Sequence, residues 1–229
     1  AAARKALEAR GEKLSIEDFV PPPLADELNF FSVPAFAELT DYEVVKNGEV
    51  STTQPRIPSD KQQLAVVKKA LGAPFQKAKR PANELTDLAA VAGYYRSEGR
   101  PVAGDRPPAE VVLEALKPAQ PLLDEIALYA ERPGARFPIR YEDGIAAAMP
   151  HIGHFSSLAR YLSLRAVAEM EAGHGDAALK DILLILRLSD SLRTEPTIIA
   201  LLVRISTLST ANQAIWEGVQ KAAKARGVE

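Results

Sequence analysis

Cysteine is absent from the 229-residue chain. That removes disulfides, thiolate metal sites, cysteine nucleophiles and iron–sulfur clusters together. No uninterrupted apolar run approaches the roughly 18–20 residues of a membrane-spanning helix, so the sequence predicts a soluble chain. Charge of one sign is lacking too: 28 Lys plus Arg stand against 30 Asp plus Glu, for a net charge of −2. With 47% hydrophobic and 25% charged residues, the chain has none of the bias of collagen-like, disordered or strongly nucleic-acid-binding proteins. The length permits one large domain or two small ones.

The usual catalytic signatures are also missing. There is no G-x-S-x-G elbow, no G-x-x-x-x-G-K-[ST] phosphate loop, no G-x-G-x-x-G after a strand and no His-Glu-x-x-His. No cofactor is expected, and no enzyme is indicated. The chain opens Ala1-Ala2-Ala3-Arg4 rather than on methionine, so any preceding signal or anchor is expected to have been removed.

What is present divides sharply by proline. Sixteen of the 17 prolines lie at or before Pro150, and only Pro196 lies beyond it. Proline lacks an N–H and clashes with the preceding helical turn. Residues 1–150 therefore read as short helices joined by ordered loops, and 151–229 as a core of long helices, the two forming one continuous domain.

In the first part, a helix from Ala1 to about Arg10 should stop at Gly11, and Ser15-Ile16-Glu17-Asp18 suggests a capping pattern. Pro21-Pro22-Pro23 reads as polyproline II. Asn47-Gly48 suggests a small hairpin within a long loop over 40–60. Helices are expected over 59–71, 84–98 and 108–130, with Gly99 as a stop, Pro107-Pro108 as a start and a break at Pro118 and Pro121.

In the second part, Phe155, Leu158, Ala159, Leu162, Ala166 and Met170 recur at helical spacing on one face. Gly173-His174-Gly175-Asp176 reads as a turn, with Asp176 capping the next helix. Residues 177–190 read as a helix sandwiched between others. Thr194-Glu195-Pro196 is expected to start a last helix that buries Ile198, Leu201, Leu202, Ile205, Leu208 and Ile215. The fold class predicted is all-α: antiparallel helical hairpins, as a short solenoid or bundle, with a Pro-rich segment packed against them. Leu164 to Leu188 has the look of one tetratricopeptide-like hairpin, although such arrays need about three units to bury a core.

Three places carry candidate chemistry. His151 and His154, three apart, could share a helix face and a ligand; a third metal ligand is missing, so a solvated or capping role is the expectation. Arg136, Arg140 and Tyr141 lie in a loop that could bind an anion or peptide. Alternatively, Phe137 and Tyr141 pin that loop to the core while the arginines pair with local acids. Tyr94 and Tyr95 end a helix before Arg96 and could form a stacking platform, but read better as core or groove-lining residues.

Several segments resemble a family of uncharacterised bacterial proteins: Leu7 to Leu14, Pro21-Pro22-Pro23-Leu24-Ala25-Asp26-Glu27-Leu28-Asn29-Phe30, Ala135 to Pro138 with Tyr141-Glu142, and Leu186 to Leu192 with Glu195-Pro196. The resemblance covers nearly the whole chain, and the triple proline with its Asp-Glu-x-Asn-Phe tail is its most specific part. It implies a membrane anchor or signal ahead of the domain, an extracytoplasmic location, and continuation past Trp216-Glu217-Gly218. No activity comes with it. The function expected is a non-catalytic interaction or scaffold domain of the bacterial envelope. It would bind a protein or peptide, not nucleic acid, and would meet a membrane only through such an anchor. The alternative is a hydrolase or small-ligand binder using His151, His154, Arg140 and Tyr141. A third reading has residues 1–150 merely capping the helical array.

Overall fold

Helix ends in this protein fall where glycine and proline put them. In a computed structural model describing residues 2–15, 18–47, 50–72, 75, 84–100, 105–225 and 227, α1 (Ala2–Ala9) runs into Gly11 at φ 76°. Residue 1 and residues 16–17 of the expected capping pattern lie outside the described residues, yet the Ser15 N–H does donate to Asp18 at 3.1 Å. The expected helix over 59–71 is a 3₁₀ turn at Ser59–Lys61 followed by α3 (Ala65–Leu71). The one over 84–98 starts later than expected, at α4 (Leu88–Ser97), where the Asp87 carboxylate accepts from Ala90 N–H at 2.9 Å. It stops at Gly99, φ 65°. Pro108 opens α5 (Pro108–Leu116); the expected break is a 3₁₀ turn at Lys117–Ala119, and α6 (Gln120–Tyr129) follows.

Between α2 (Ala37–Thr40) and α3, strands β1 (Tyr42–Asn47) and β2 (Val50–Pro55) pair antiparallel, Tyr42 opposite Pro55 and Asn47 opposite Val50. The hairpin expected near Asn47-Gly48 is therefore present, although Gly48 itself lies outside the described residues. With 67% helix and 5% strand, the protein is mostly helical, and this two-stranded sheet is a small addition to it.

The C-terminal part is three long helices: α7 (His151–Glu171), α8 (Gly175–Ser191) and α9 (Ile198–Ala225). Gly173, at φ 83°, ends α7, and the His174 N–H closes back onto the Glu169 carbonyl at 2.8 Å. This is a Schellman-type stop, which satisfies carbonyls a helix end leaves free. Asp176 does not cap α8; it lies in its first turn and makes no cap bond. There it still complements the positive helix terminus. Pro196 also lies outside the last helix. Thr197 caps it instead, its hydroxyl accepting from Ala200 N–H at 3.1 Å. The α7 face predicted from spacing is buried as expected, with Met170 packed against its margin.

Helix α9 turns the opposite face inward from the one expected. Its buried residues are small or polar: Ala200, Thr207, Ala211, Ala214 and Glu217. Ile198, Ile199, Leu201, Leu202, Ile205, Ile215 and Val219 stand between 41% and 77% exposed. Small side chains let the helix lie close against its neighbours. Gly218 meets Met170, the Ser189 hydroxyl bonds the Arg204 carbonyl at 3.2 Å, and Lys221 pairs with Glu171 at 2.8 Å. Together with Thr197 against Met149 at the other end, these contacts set α9 parallel to α7 and antiparallel to α8. Nor is α8 covered all round, since Leu179 and Leu183 are more than half exposed.

The N-terminal segment contributes core rather than cover. Phe30, Phe31 and Phe36 are buried against Phe137 and Phe155, with Phe31 stacked on Phe155 at 5.5 Å and edge-on to Phe137 at 5.1 Å. Asn29 locks this arrangement. Its side-chain oxygen accepts from Phe31 and Arg136 N–H while its amide donates to the Arg136 carbonyl. One hydrophobic cluster extends from Phe30 to Ala214 and so draws on residues either side of Pro150.

Arginines stitch the loops between these layers by donating to backbone carbonyls. Arg187 reaches Ala130, Arg132 and Gly134 at 2.8, 2.7 and 3.0 Å, beyond the end of α6. Arg100 does the same for Lys69 and Ala70 at the end of α3. A planar fork with five donors suits that task.

Candidate functional site

His151 begins α7 at a position where solvent is the ordinary neighbour of a polar side chain, yet its ring is fully buried. It stacks on Phe137 at a centroid distance of 3.8 Å and meets Phe31 and Phe155 edge-on at 5.7 and 5.9 Å. Its Nε2 faces the Glu195 carboxylate, 2.9 and 3.0 Å from the two oxygens, while Nδ1 has no hydrogen-bond partner. The solvated or capping role expected for His151 is thus corrected, because the aromatic cluster around Asn29 closes over the helix start. Glu195, read from sequence as a helix-terminal acid, turns inward instead. Tyr141 is buried beside them. Burial, with the Glu195 charge adding to it and Arg136 opposing it, pushes its hydroxyl up to about 12.

The remaining sequence candidates disperse around this cluster. Arg136 donates to the Pro21 carbonyl at 2.8 Å and so fastens the Pro-rich segment. Arg140 is exposed and pairs with Glu142 and Asp143 at 3.2 and 3.5 Å. Those acids raise its pKa, the Glu142 hydrogen bond foremost. His154 is half-buried one turn beyond His151. Burial, reinforced by the positive Lys68 and by His151, pushes it down to about 4. Tyr95 is fully buried, donates to the Leu71 carbonyl at 3.0 Å and carries the Arg100 guanidinium 4.2 Å from its ring centroid. Tyr94 packs edge-on to Phe75 at 5.3 Å and occupies the space a side chain on Gly72 would need. Both tyrosines are packing residues. Among the described residues, no cluster of three His, Asp or Glu could hold a metal ion.

Two further features escaped the sequence reading. One is a buried ion pair between α7 and α8, in which Arg165 binds Asp181 and also the Gln120 side chain. The other is the α9 surface. Charge is scarce there: from Ile198 to Gln220 the helix carries only Arg204 and Glu217. Arg204 is half-buried, and Glu217 is fully buried and bound to the Thr86 N–H and hydroxyl at 2.8 and 2.9 Å. The expectation that no segment could cross a membrane is modified by this helix. Residues Ile198–Lys224 are long and apolar enough by length and composition, with a mean hydropathy of 1.4 over 18 residues. Interspersed Ser, Thr and Asn hide that from a search for uninterrupted apolar runs. One signal in the sequence did mark the packed face: small residues at 200, 207, 211, 214 and 218 recur at helical spacing.

A cleft of about 650 Å³ opens beside α9, between Leu85–Ala89, Pro107–Glu110 and the α7–α8 turn, with Glu171, His174 and Lys221 at its rim. Its lining is mostly apolar, and two of its charged groups, Glu171 and Lys221, are paired with each other. The buried cluster and the open surfaces are therefore separate places. Fold and site together define a mostly helical protein with a small antiparallel hairpin. Compared with protein-family models, curated proteins and solved structures, the chain matches none.

Proposed function

We propose that the protein is a non-catalytic helical interaction module that holds a protein partner on the apolar face of α9. The observation that carries this reading is the helix orientation: small residues pack inward while seven large aliphatic side chains face solvent. Soluble monomers rarely leave so extended an apolar surface uncovered, and such surfaces mark interaction sites. The succession α7, α8, α9, with the third helix parallel to the first, supports a tetratricopeptide-like arrangement in which each new helix docks on the preceding hairpin. The sequence resemblance supports an extracytoplasmic setting in the bacterial envelope. Burial of His151 beneath three phenylalanines, with Arg140 in solvent, leaves the hydrolase or ligand-binding alternative without a shared site.

Cross-linking of the purified chain in an envelope extract, read by mass spectrometry, tests the proposal. One reproducible partner is expected, lost in Leu202→Glu and retained in Leu128→Glu, a change at a still more exposed leucine on α6. Capture that both variants leave unchanged, or an unaltered chain that cross-links neither to another protein nor to a second copy of itself, overturns it.

A further inference from the structure

Helix α9 presents a surface that fits itself. We infer that the partner on this face is a second copy of the chain, paired through α9 about a two-fold axis. The inference rests on the interaction-module reading and specifies its partner.

Three observations carry it. The first is extent. From Ile198 to Val219 the exposed stripe is roughly 33 Å long, at about 1.5 Å per helical residue. Its seven aliphatic side chains offer apolar area on the order of 400 Å² per copy, taking roughly 100 Å² for a fully exposed one. At the apolar share of about 65% found in homodimer interfaces, that corresponds to roughly 600 Å² per copy. Two copies then reach about 1,200 Å², the lower bound for a specific, stable interface.

The second is symmetry of pattern. Large side chains occupy both ends of the stripe, while exposed Ser206, Ser209 and Asn212 form its middle. An antiparallel pairing about an axis between Leu208 and Ser209 sets Ile198 opposite Val219 and Leu202 opposite Ile215. The small middle residues allow the two helices to approach. An isologous interface requires this kind of self-complementarity.

The third is charge. The stripe carries none, so two copies meet without like charges opposed. A helix lying on lipid instead favours a basic margin, and α9 has only Arg204 beside the stripe before Lys221. Crossing a bilayer would require extracting Glu217 from its bonds to Thr86.

The chain contains no native cysteine, which makes the test direct. Sedimentation velocity over a micromolar dilution series should show a species of twice 24.7 kDa. Leu202→Glu should raise the dimer dissociation constant about 100-fold or more, since it places two carboxylates in a desolvated interface. Leu128→Glu should leave the constant unchanged. Ser209→Cys, beside the axis, should oxidise to a covalent dimer, whereas Leu128→Cys should not. Circular dichroism confirms that each variant is folded. A monomer throughout the series, or a dimer indifferent to Leu202→Glu, overturns the inference. If that monomer still captures a different protein through α9, the interaction-module reading stands without self-association; if it captures nothing, both fall. Sedimentation of the monomer with phosphatidylglycerol vesicles, abolished by Leu202→Glu, would assign the face to lipid instead.

Discussion

His151 and His154 are one helical turn apart and live under different electrostatics. His154 is held at about 4, by burial first and then by the neighbouring Lys68 and His151. Unfolded, it would bind its proton near 6.5. Between those values the unfolded chain holds more proton than the folded one. Stability present at neutral pH is thus lost as pH falls from about 6.5 toward 4, by roughly 2–3 kcal/mol. Urea titrations of His154→Gln should show a smaller drop between pH 7 and pH 4 than the unaltered protein shows. At His151 the test is a double-mutant cycle. His151→Leu strands the Glu195 carboxylate in a dry cluster and should cost about 3 kcal/mol, whereas adding Glu195→Leu should recover most of that loss. Equal losses in the single and double variants would mean the carboxylate does not depend on the imidazole.

At the scale of elements, the close packing of α9 depends on what it lacks. Ala211 and Ala214 are fully buried, so a leucine at either has no room without moving the helix. Ala211→Leu should destabilise by about 1–3 kcal/mol, and hydrogen exchange should then accelerate in α9 ahead of α7. This helix also marks the boundary of what the sequence revealed. The proline break at Lys117–Ala119, the stops at Gly11, Gly99 and Gly173, and the buried face of α7 could all be read from local chemistry. They depend on backbone geometry or on a single hydrophobic stripe. Helix α9 carries two stripes, one small and one large, and the rule that large apolar residues face inward chose the wrong one. Which stripe packs depends on how near α7 and α8 stand, and no local pattern encodes that distance. The His151–Glu195 contact was hidden for a related reason. The residues are 44 apart in sequence, and Glu195 next to Pro196 looks like an ordinary helix-terminal acid.

Across the whole molecule, the Pro-rich half is structural rather than ornamental. Residues 3–14 are all exposed, none of them part of the core, and their deletion together with residues 1–2 should change unfolding free energy by no more than about 0.5 kcal/mol. Deleting residues 1–40 removes Phe30, Phe31 and Phe36 from the core and should abolish cooperative unfolding altogether. A truncated chain that still melted in a single sharp transition would favour the view that this half only caps the helical array.

Asn29 and its phenylalanines have their partners more than 100 residues further along the chain, at Gly134, Arg136, Phe137 and Phe155. On the ribosome, at about 5–20 residues per second, roughly 6–25 seconds separate the emergence of Phe31 from that of Phe155. For that interval three bulky rings in a segment with little helix of its own stay wet. A nascent chain in this state is a natural client for a holdase chaperone, and the load on that chaperone should follow the rate of translation rather than the stability of the finished fold.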